Sequence, residues 1–525
     1  MTVVLSDDDL VRLRDRFTEV DYTVDRIVEL VGGSEHAALG RNNTTPALRA
    51  LRGNDDPAAT LARLWPLQAV VAMDDLDRAL PGLVGPLITA GVLEADHDQV
   101  RALVDLRPYA SDDALRQAQG SRATQGSGDY WIFSDLTPGL DGPMTPVAPD
   151  FVLGASPASM TLAELTLRRP VGSALDLGTG CGVQSLHLAR HADRVVATDV
   201  NARALQLARA TMRLNGADTV DIREGSLFEP VGQETYDLIV TNPPYVMSPP
   251  GNAEARLTYR EAGFVADELV RQVVIDGARR LNPGGSLQVL GNWAQVRGED
   301  WQDRLAGWVN QTGCDAHILR REVLDAYEYI EIWLADAGLL GVPRPTRREY
   351  QGLTDPSAYQ RAYESWCDYF DELGIESVGM GWFTLTNAGR DQPAVTIEDW
   401  PHSVEQPIGP AWAGRIDAVD LSARLSDAEV LGTRWKLATD VSQETVGRPG
   451  SEDPEAIVFR QQRGFRRAIR ADTALAGVLG ACDGELTLGQ IVDAVAGILG
   501  ADPGVVAAET LPEARRLIVD NFVTT

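Results

Sequence analysis

The sequence predicts an α/β protein built around a mostly parallel sheet with helices on both faces. From residue 170 onward, short apolar runs of β character alternate with amphipathic helical segments, and this alternation requires a parallel sheet. The first run ends in a glycine-rich turn, Gly178-Thr179-Gly180-Cys181-Gly182, at the position where doubly wound sheets bind ligands. A chain of 525 residues is too long for one ordinary domain, so we expect further domains on both sides of the sheet.

The predicted sheet has seven strands. Two more apolar runs, 315–320 and 329–334, follow the alternating region and are separated by only eight residues, too few for a helical crossover. We therefore expect these two runs to form an antiparallel hairpin at one edge of the sheet. The two helices are predicted at 202–214 and 267–280. The other five strands are predicted at 173–177, 194–198, 219–223, 236–240 and 286–290.

Residues 1–120 are predicted to form a helical domain. Apolar residues recur at helical spacing from Leu10 to Val31. The later segments 74–106 predict the order helix, helix, strand, strand, which is typical of a winged helix. The second of these helices, 83–90, would contact DNA in that fold, but it contains no Arg or Lys. A packing or substrate-docking role is therefore favoured over DNA binding.

Composition divides the rest of the chain. Residues 121–150 are interpreted as a linker and cap segment, because a Gly-, Ser- and Asp-rich stretch precedes the aromatic cluster 130–133, either a short buried strand or a cap over the site. The sheet is expected within 151–340, and 341–400 should add a helix and a strand to it. A C-terminal α/β domain is expected at 401–525, for which a winged-helix-like piece is one interpretation.

Charge and cysteine usage limit the classes of function. The chain has 76 acidic and 47 basic residues, a net charge of −29, which disfavours non-specific nucleic-acid binding but allows a local basic patch. Its apolar runs are interrupted by polar residues, so no membrane span is predicted. The N-terminus lacks signal-peptide features, and the four cysteines are too far apart to suggest zinc or disulfides. A reducing cytoplasm is the expected location.

The glycine turn and Asp199 predict a cofactor site. Gly178, Gly180 and Gly182 let the backbone approach a ligand closely. Their spacing departs from the Gly-x-Gly-x-x-Gly pattern of dinucleotide sites, which favours a cofactor without a pyrophosphate. Asp199 ends the second strand, where its carboxylate can accept hydrogen bonds from two ribose hydroxyls. The alternative is an ordinary glycine turn, with Asp199 capping the next helix.

The motif Asn242-Pro243-Pro244-Tyr245 follows the fourth strand at the carboxyl end of the predicted sheet. Two consecutive prolines impose an extended backbone and remove two N–H donors, which leaves the Pro243 carbonyl as an acceptor. The Asn242 side chain can supply a second acceptor and the Tyr245 ring a flat platform. This set suits a planar –NH2 group, as on an amide or a nucleobase. The alternative is a proline-rich turn with a capping Asn.

Together with the loop Gly225-Ser226-Leu227-Phe228, these motifs resemble class I S-adenosylmethionine-dependent methyltransferases. They are most similar to the N-methyltransferases related to the release-factor glutamine methyltransferase and to the "small-domain" ribosomal RNA guanine N-methyltransferases. The resemblance covers roughly residues 130–335 and implies a Rossmann-like fold, S-adenosyl-L-methionine as cofactor and N-methylation as the activity.

The resemblance also implies which residues act. The acceptor nitrogen would be held by Asn242, Pro243, Pro244 and Tyr245. The cofactor would be held by Asp176, Gly178, Thr179, Gly180, Cys181, Gly182, Asp199, Ser226, Leu227 and Asn242.

Two features of this region need separate interpretation. Ser226 stands where the family usually has an Asp that accepts from the adenine amino group, and a hydroxyl accepts more weakly, which leaves that contact open. His187 and His191 lie four residues apart, a spacing that could bind zinc. No third ligand is indicated, so no metal is predicted and packing or surface roles are favoured.

The methyl acceptor is expected to be a protein or peptide, because the acidic charge disfavours capture of RNA. Alternatives are a ribosomal RNA base (guanine N2 or adenine N6), a small molecule, and a degenerate scaffold that only recruits partners. A cationic stripe at helical spacing overlaps the start of the segment 461–479, which is predicted to be helical. The stripe is a candidate docking surface, although internal salt bridges are the favoured interpretation. The stripe consists of Arg460, Arg463, Arg466, Arg467 and Arg470.

Overall fold

A computed structural model describes residues 4–110, 129–142, 147–250, 263–337, 356–448 and 454–525. The chain divides into two compact units, one of residues 1–163 with 170–400 and one of 164–169 with 401–525. The finer domain boundaries expected from composition stay predictions. Within the described residues, no helix combines the length and the apolar character that a bilayer span requires.

The N-terminal part of the first unit is mainly helical. Strands β1 (Val71–Ala72), β2 (Leu93–Asp96) and β3 (Gln99–Ala102) pair antiparallel in the order β1-β3-β2, and β4 (Asp105–Ala110) pairs with β5 (Asp129–Ser134). The predicted succession of two helices and two strands is present, while its interpretation as a winged helix stays a prediction. The described helices are Asp7–Glu19, Val24–Val31, Gly33–Leu39, Thr45–Ala50, Pro57–Leu64, Met73–Ala79 and Val84–Thr89.

A hydrophobic core joins these helices to the central sheet. The Phe17 ring contacts the rings of Tyr22, Trp65 and Trp131, with centroids 5.0 to 5.7 Å apart. The same buried cluster includes Cys181 and other apolar residues of the segment after the glycine turn. The N-terminal helices therefore pack against the segment that contains the glycine turn.

The central sheet has eight strands in the order β13-β11-β12-β10-β9-β6-β7-β8. Strands β10, β9, β6, β7 and β8 run parallel, β12 is antiparallel to both neighbours, and β13 is parallel to β11. The predicted α/β fold is confirmed. The strands are β6 (Val171–Leu177), β7 (Ala192–Asp199), β8 (Val220–Glu224), β9 (Tyr236–Thr241), β10 (Leu281–Val296), β11 (Asp315–Asp325), β12 (Ile375–Thr386) and β13 (Val395–Asp399).

Helices and one short 3-10 turn connect these strands. The predicted helices 202–214 and 267–280 correspond to Ala202–Leu214 and Glu268–Ala278. The 3-10 turn is Glu229–Val231. The other described helices of this part are Pro157–Leu165, Val183–Leu188, Trp301–Val309, Ala326–Asp336 and Pro356–Leu373.

The predicted edge hairpin is wrong. Residues 329–334 belong to the helix Ala326–Asp336, which begins where the Asp325 side chain accepts a hydrogen bond from Glu328 N at 2.9 Å. The antiparallel partner of β11 is β12, which also pairs with β10. The predicted count of seven strands is also wrong, because β13 adds an eighth at the edge. The segment 341–400 thus supplies an interior strand and an edge strand of the sheet.

The second unit combines a small antiparallel sheet with helices. Strands β15 (Val441–Val446), β16 (Ala456–Gln461) and β17 (Ala468–Ala471) form the sheet, and β14 (Lys436–Leu437) pairs with β18 (Val523–Thr524). The described helices are Gly409–Arg424, Asp427–Gly432, Thr473–Gly480, Leu488–Leu499 and Pro503–Val519.

The cationic stripe lies on β16, β17 and the turn between them, so the helix predicted from 461 onward is wrong as far as residue 472. Arg460 pairs with Glu444 at 2.8 Å and buried Arg467 with Asp520 at 3.3 Å, as the salt-bridge interpretation expects. The other stripe residues, Arg463, Arg466 and Arg470, have exposed side chains.

Gly381 of β12 is a position where the sheet tolerates no side chain. It faces Gly291 of β10 across the ladder, and a Cβ at residue 381 would overlap the carbonyl oxygen of Leu319. We expect Gly381→Ala to lower the free energy of unfolding by about 3 kcal/mol, because the overlap is with backbone that cannot move aside. Chemical denaturation of the purified chain measures this change.

Gly307→Ala is the matched control. A Cβ at Gly307, in the helix Trp301–Val309, would meet no heavy atom within 4 Å. This substitution should raise the free energy of unfolding by about 0.5 to 1 kcal/mol. Equal effects of the two substitutions would contradict the packing argument.

Candidate functional site

A cavity of about 900 Å³ lies at the carboxyl ends of β6, β7 and β9. Motifs that are separate in the sequence therefore meet in one place. The predicted site residues on its wall are Asp176, Gly178, Thr179, Gly180, Cys181, Asp199, Ser226, Leu227, Asn242, Pro243, Pro244 and Tyr245.

The three glycines of the turn have different surroundings. Gly178 and Gly180 have φ angles of +76° and +56°, and a Cβ on either would meet no heavy atom within 4 Å. They leave bare backbone facing open space on the cavity wall. Gly182, at φ +92°, does not line the cavity, and a Cβ there would lie 2.7 Å from Met212 Cε. The first two glycines give room to a ligand, whereas Gly182 permits close packing against a helix.

Asp199 joins the glycine turn to the end of β7. Its Oδ2 accepts a hydrogen bond from Gly180 N and its Oδ1 one from Asn201 N, both at 2.9 Å. Burial raises the pKa of this carboxyl. Because a carboxylate has about four acceptor positions, both oxygens retain capacity to accept from ligand hydroxyls.

Asp176 supports the turn from beneath. Its Oδ2 accepts from Thr179 Oγ1 at 2.7 Å and from Ser185 Oγ at 2.6 Å, and the residue is almost fully buried. Burial raises the pKa of Asp176, and the two hydrogen bonds from hydroxyl groups lower it. The effect of burial is larger, and the resulting pKa is about 6. The side chain therefore acts mainly as an internal brace.

Asn242 directly follows β9 and lines the same cavity as the glycine turn. Thr241 Oγ1 donates to Leu177 O at 2.7 Å and joins the end of β9 to that of β6. Asn242 Oδ1 is covered from solvent and accepts no hydrogen bond from a described residue. Among the described residues, no hydrogen bond therefore occupies this oxygen, which retains its capacity to accept from a ligand. Burial raises the pKa of Tyr245, so its phenol stays neutral at physiological pH.

A buried tyrosine anchors the chain just beyond this motif. The Tyr329 hydroxyl oxygen accepts hydrogen bonds from Met247 N at 3.1 Å and from Asn292 Nδ2 at 2.9 Å. The side chains of Tyr329 and Asn292 are fully buried. The role of Tyr329 was not predicted from the sequence, because residues 329–334 were assigned to a strand. Asp325 followed by Glu328 is a helix-start pattern that could have revealed the helix.

Other parts of the wall also escaped the sequence analysis. The wall residues that no motif indicated include Ser159, Gln184, Val200, Phe264, Ile332, Trp333, Asp336 and Met380. Phe151 is buried and also lines the cavity.

The two histidines four residues apart lie outside the cavity wall. His187 is buried, and its Nε2 is 2.7 Å from the hydroxyl of Tyr109. His191 Nδ1 is 3.1 Å from the carbonyl oxygen of His187. Across the described ranges, no three His, Cys, Asp or Glu side chains are grouped to hold a metal ion. His187 thus has the packing role that the sequence analysis favoured.

Two family models match the chain. Residues 156–298 match the model described as methyltransferase small domain. This range contains both the glycine turn and the Asn242–Tyr245 motif, so the resemblance stated from the sequence is confirmed. Residues 19–103 match a domain of unknown function, DUF7059.

Curated relatives are similar over the same region. The chain is 36% identical over 22% of its length to the ribosomal protein uL3 glutamine methyltransferase of Bradyrhizobium diazoefficiens, covering 38% of that protein. It is 35% identical over 27% of its length to the release factor glutamine methyltransferase of Geobacter sulfurreducens, covering 54%. It is 33% identical over 26% of its length to the ribosomal RNA small subunit methyltransferase C of Salmonella arizonae, covering 36%. The chain thus spans between about a third and about half of these relatives.

The raised pKa of Asp176 gives a pH dependence with a definite sign. Between the ordinary Asp pKa and about 6, the folded chain binds more protons than the unfolded chain, so this group's contribution to stability falls as pH rises through that window. Asp176→Asn removes the titration. We expect the stability of the variant relative to the original chain to rise by about 3 kcal/mol between pH 4 and pH 7 and then level off. Denaturant unfolding across this pH range measures the difference, and a flat difference would contradict the assignment.

Tyr329→Phe tests whether the Tyr329 hydroxyl holds the chain at Met247, just beyond the Asn242–Tyr245 motif. The variant leaves Met247 N–H without its acceptor, so amide exchange at Met247 should accelerate by about tenfold. Hydrogen–deuterium exchange measures this without any substrate. Tyr363→Phe is the control, because the Tyr363 hydroxyl bonds only weakly to Glu331 at 3.4 Å. Unchanged exchange at Met247 in Tyr329→Phe would show that the hydroxyl does not hold this segment.

Proposed function

We propose that this chain is an S-adenosylmethionine-dependent N-methyltransferase acting on a planar amide or amino nitrogen of a protein or peptide. The observation that carries the proposal is Asn242, whose side-chain oxygen accepts no hydrogen bond from a described residue and which lies on the same cavity wall as Gly178, Gly180 and Asp199. The matching domain and the two relatives named as glutamine methyltransferases support it.

The residues present fit the proposed cofactor. Gly178 and Gly180 offer bare backbone, and Asp199 offers acceptors for ribose hydroxyls. Ser226 and Leu227 belong to the wall, where the resemblance puts the adenine, and the exposed Ser226 hydroxyl can accept from an amino group. When bound, S-adenosylmethionine would supply an electrophilic methyl group on a sulfonium.

The acceptor motif performs positioning chemistry. An amide nitrogen is a poor nucleophile, because its lone pair is delocalised into the carbonyl. In the proposed complex, Asn242 Oδ1 and the Pro243 carbonyl accept its two N–H groups and fix the plane of the group. The neutral ring of Tyr245 covers one face. Positioning and fixed dipoles of this kind lower a reaction barrier without a dedicated base.

Methylation of a ribosomal RNA base is the second candidate, because a relative named ribosomal RNA small subunit methyltransferase C matches the same region. The same two acceptors would suit an exocyclic amino group. Nevertheless, the wall residues within the described ranges include no Arg, Lys or His, and capture of RNA depends on cationic contacts with phosphates. The protein or peptide acceptor is therefore favoured, with the cytoplasm as the proposed location.

Labelled methyl transfer tests the acceptor class. The purified chain is incubated with methyl-labelled S-adenosylmethionine and a lysate of its own organism, followed by nuclease or protease. The proposal expects label that survives nuclease and is lost to protease. Loss of label to nuclease would support the RNA candidate instead, and label confined to small molecules would contradict both.

Asn242→Ala tests the site. Transfer should fall by at least about a hundredfold, because one of the two acceptors for the reacting amide is lost. Affinity for S-adenosylhomocysteine, measured calorimetrically, should stay close to that of the original chain. Asn310→Ala, at an exposed helix end, is the control and should change neither quantity. Normal transfer by Asn242→Ala would refute the assignment.

A further inference from the structure

Four apolar residues line the cavity and are also exposed to solvent. They are Leu153, Val200, Phe264 and Ile332, exposed by 42%, 57%, 37% and 45%, and all four line its wall. We call this set the apolar mouth. Single exposed apolar residues are ordinary on protein surfaces, whereas several around one cavity are typical of a binding surface.

The exposure of Ile332 is not a by-product of how its helix packs against the core. The helix Ala326–Asp336 buries Tyr329, Ile330 and Leu334, which fix it against the core. Ile332 is not among these buried residues and lies at the cavity. A rigid helix thus presents an apolar side chain that its own packing does not require. Tyr327, on the same helix, is 62% exposed and is not part of the wall.

The charge around the mouth restricts what can bind. Among the described residues that form the wall, the ionisable side chains are those of Asp176, Asp199, Asp336, Cys181 and Tyr245, without a cation among them. The whole chain carries a net charge of −29. The negative charge attracts a cationic segment and repels an acidic one. The described wall also offers no cationic side chain to a phosphate backbone.

We infer that the apolar mouth docks an extended peptide segment carrying both apolar and cationic side chains next to the methyl-accepting amide. This inference rests on the proposed function and adds the chemistry of the residues that flank the acceptor. Burial of the apolar flank against the mouth supplies affinity. The acidic surroundings supply discrimination, because an acidic flank is repelled while a cationic flank is not.

Three fluorescein-labelled peptides test the inference by binding alone. All three have the same central Gln, flanked by Leu and Lys, by Leu and Glu, or by Ser and Lys. Fluorescence anisotropy is measured with the chain saturated with S-adenosylhomocysteine. The Leu/Lys peptide should bind about tenfold more tightly than either of the others, and its advantage over Leu/Glu should shrink as salt is raised.

A matched pair of variants separates contact at the mouth from general attraction to an acidic protein. Ile332→Lys should weaken the Leu/Lys peptide by about tenfold and tighten the Leu/Glu peptide. Tyr327→Lys makes the same change in net charge on the same helix, away from the cavity, and should leave both affinities near their original values. S-adenosylhomocysteine affinity, measured for both variants, verifies that the cavity is intact.

Equal binding of the Leu/Lys and Leu/Glu peptides, or equal effects of the two lysine variants, would overturn the inference. The proposed function would survive that result if labelled methyl still passed to a protease-sensitive acceptor. Failure of the original chain to bind S-adenosylhomocysteine would overturn the proposed function and the inference together. Peptide binding therefore tests the inference, and S-adenosylhomocysteine binding tests the proposed function separately.

Discussion

The site depends on a few hydrogen bonds between the ends of β6 and β7. The carbonyl oxygen of Thr198 accepts from both Gly178 N and Thr179 N at 2.9 Å, and Asp199 accepts from Gly180 N. These bonds fix the turn in a conformation that leaves glycine backbone facing the cavity. Four of the five groups in these hydrogen bonds are backbone atoms, so the arrangement follows largely from the parallel register of β6 and β7. The Asn242 motif then takes its position from β9, which pairs with β6 on the other side.

The N-terminal part of the chain completes the support of the same turn. Its helices share one buried cluster with Cys181 and with the helix Ala202–Leu214. The Asn215 side chain, at the end of that helix, accepts from Trp131 N at 3.0 Å and donates to Trp131 O at 2.8 Å. Both backbone groups of Trp131 are thereby satisfied by one amide, which ties β5 to the central fold. The N-terminal helices and the central fold accordingly share one buried core within the first unit.

The sequence allowed the parallel part of the fold and the motif-bearing part of the cavity wall to be predicted, because both depend on local patterns. Apolar runs alternating with amphipathic helices identified β6 to β10, and three short motifs identified the residues at their ends. Residues 329–334 were misassigned because Tyr, Ile and Trp favour strands, and the run contains only one charged residue, Glu331. The capped helix prevails since β12 already occupies the place beside β11.

Contacts between distant parts of the chain were beyond such patterns. Tyr329 lies 82 residues from Met247 and 37 from Asn292, and no local spacing indicates that the three will meet. The cationic stripe failed for a related reason. Its arginines recur at a spacing that suits a helix, but the ladder between β16 and β17 and a glycine at residue 464 with φ +59° make a turn instead. The contacts of Tyr329 and the turn in the cationic stripe both depend on how distant segments come together, which the whole fold determines.

The position of β12 has a consequence for how the chain folds during synthesis. β10 and β11 are made first, yet the strand that lies between them begins only at Ile375. The segment with the glycine turn and the Asn242 motif therefore leaves the ribosome well before the sheet can close. Until β12 arrives, one edge of the long, largely buried strand β10 has no partner within the sheet, and such an edge is open to pairing with other chains. Newly made chains should be most prone to association during that interval.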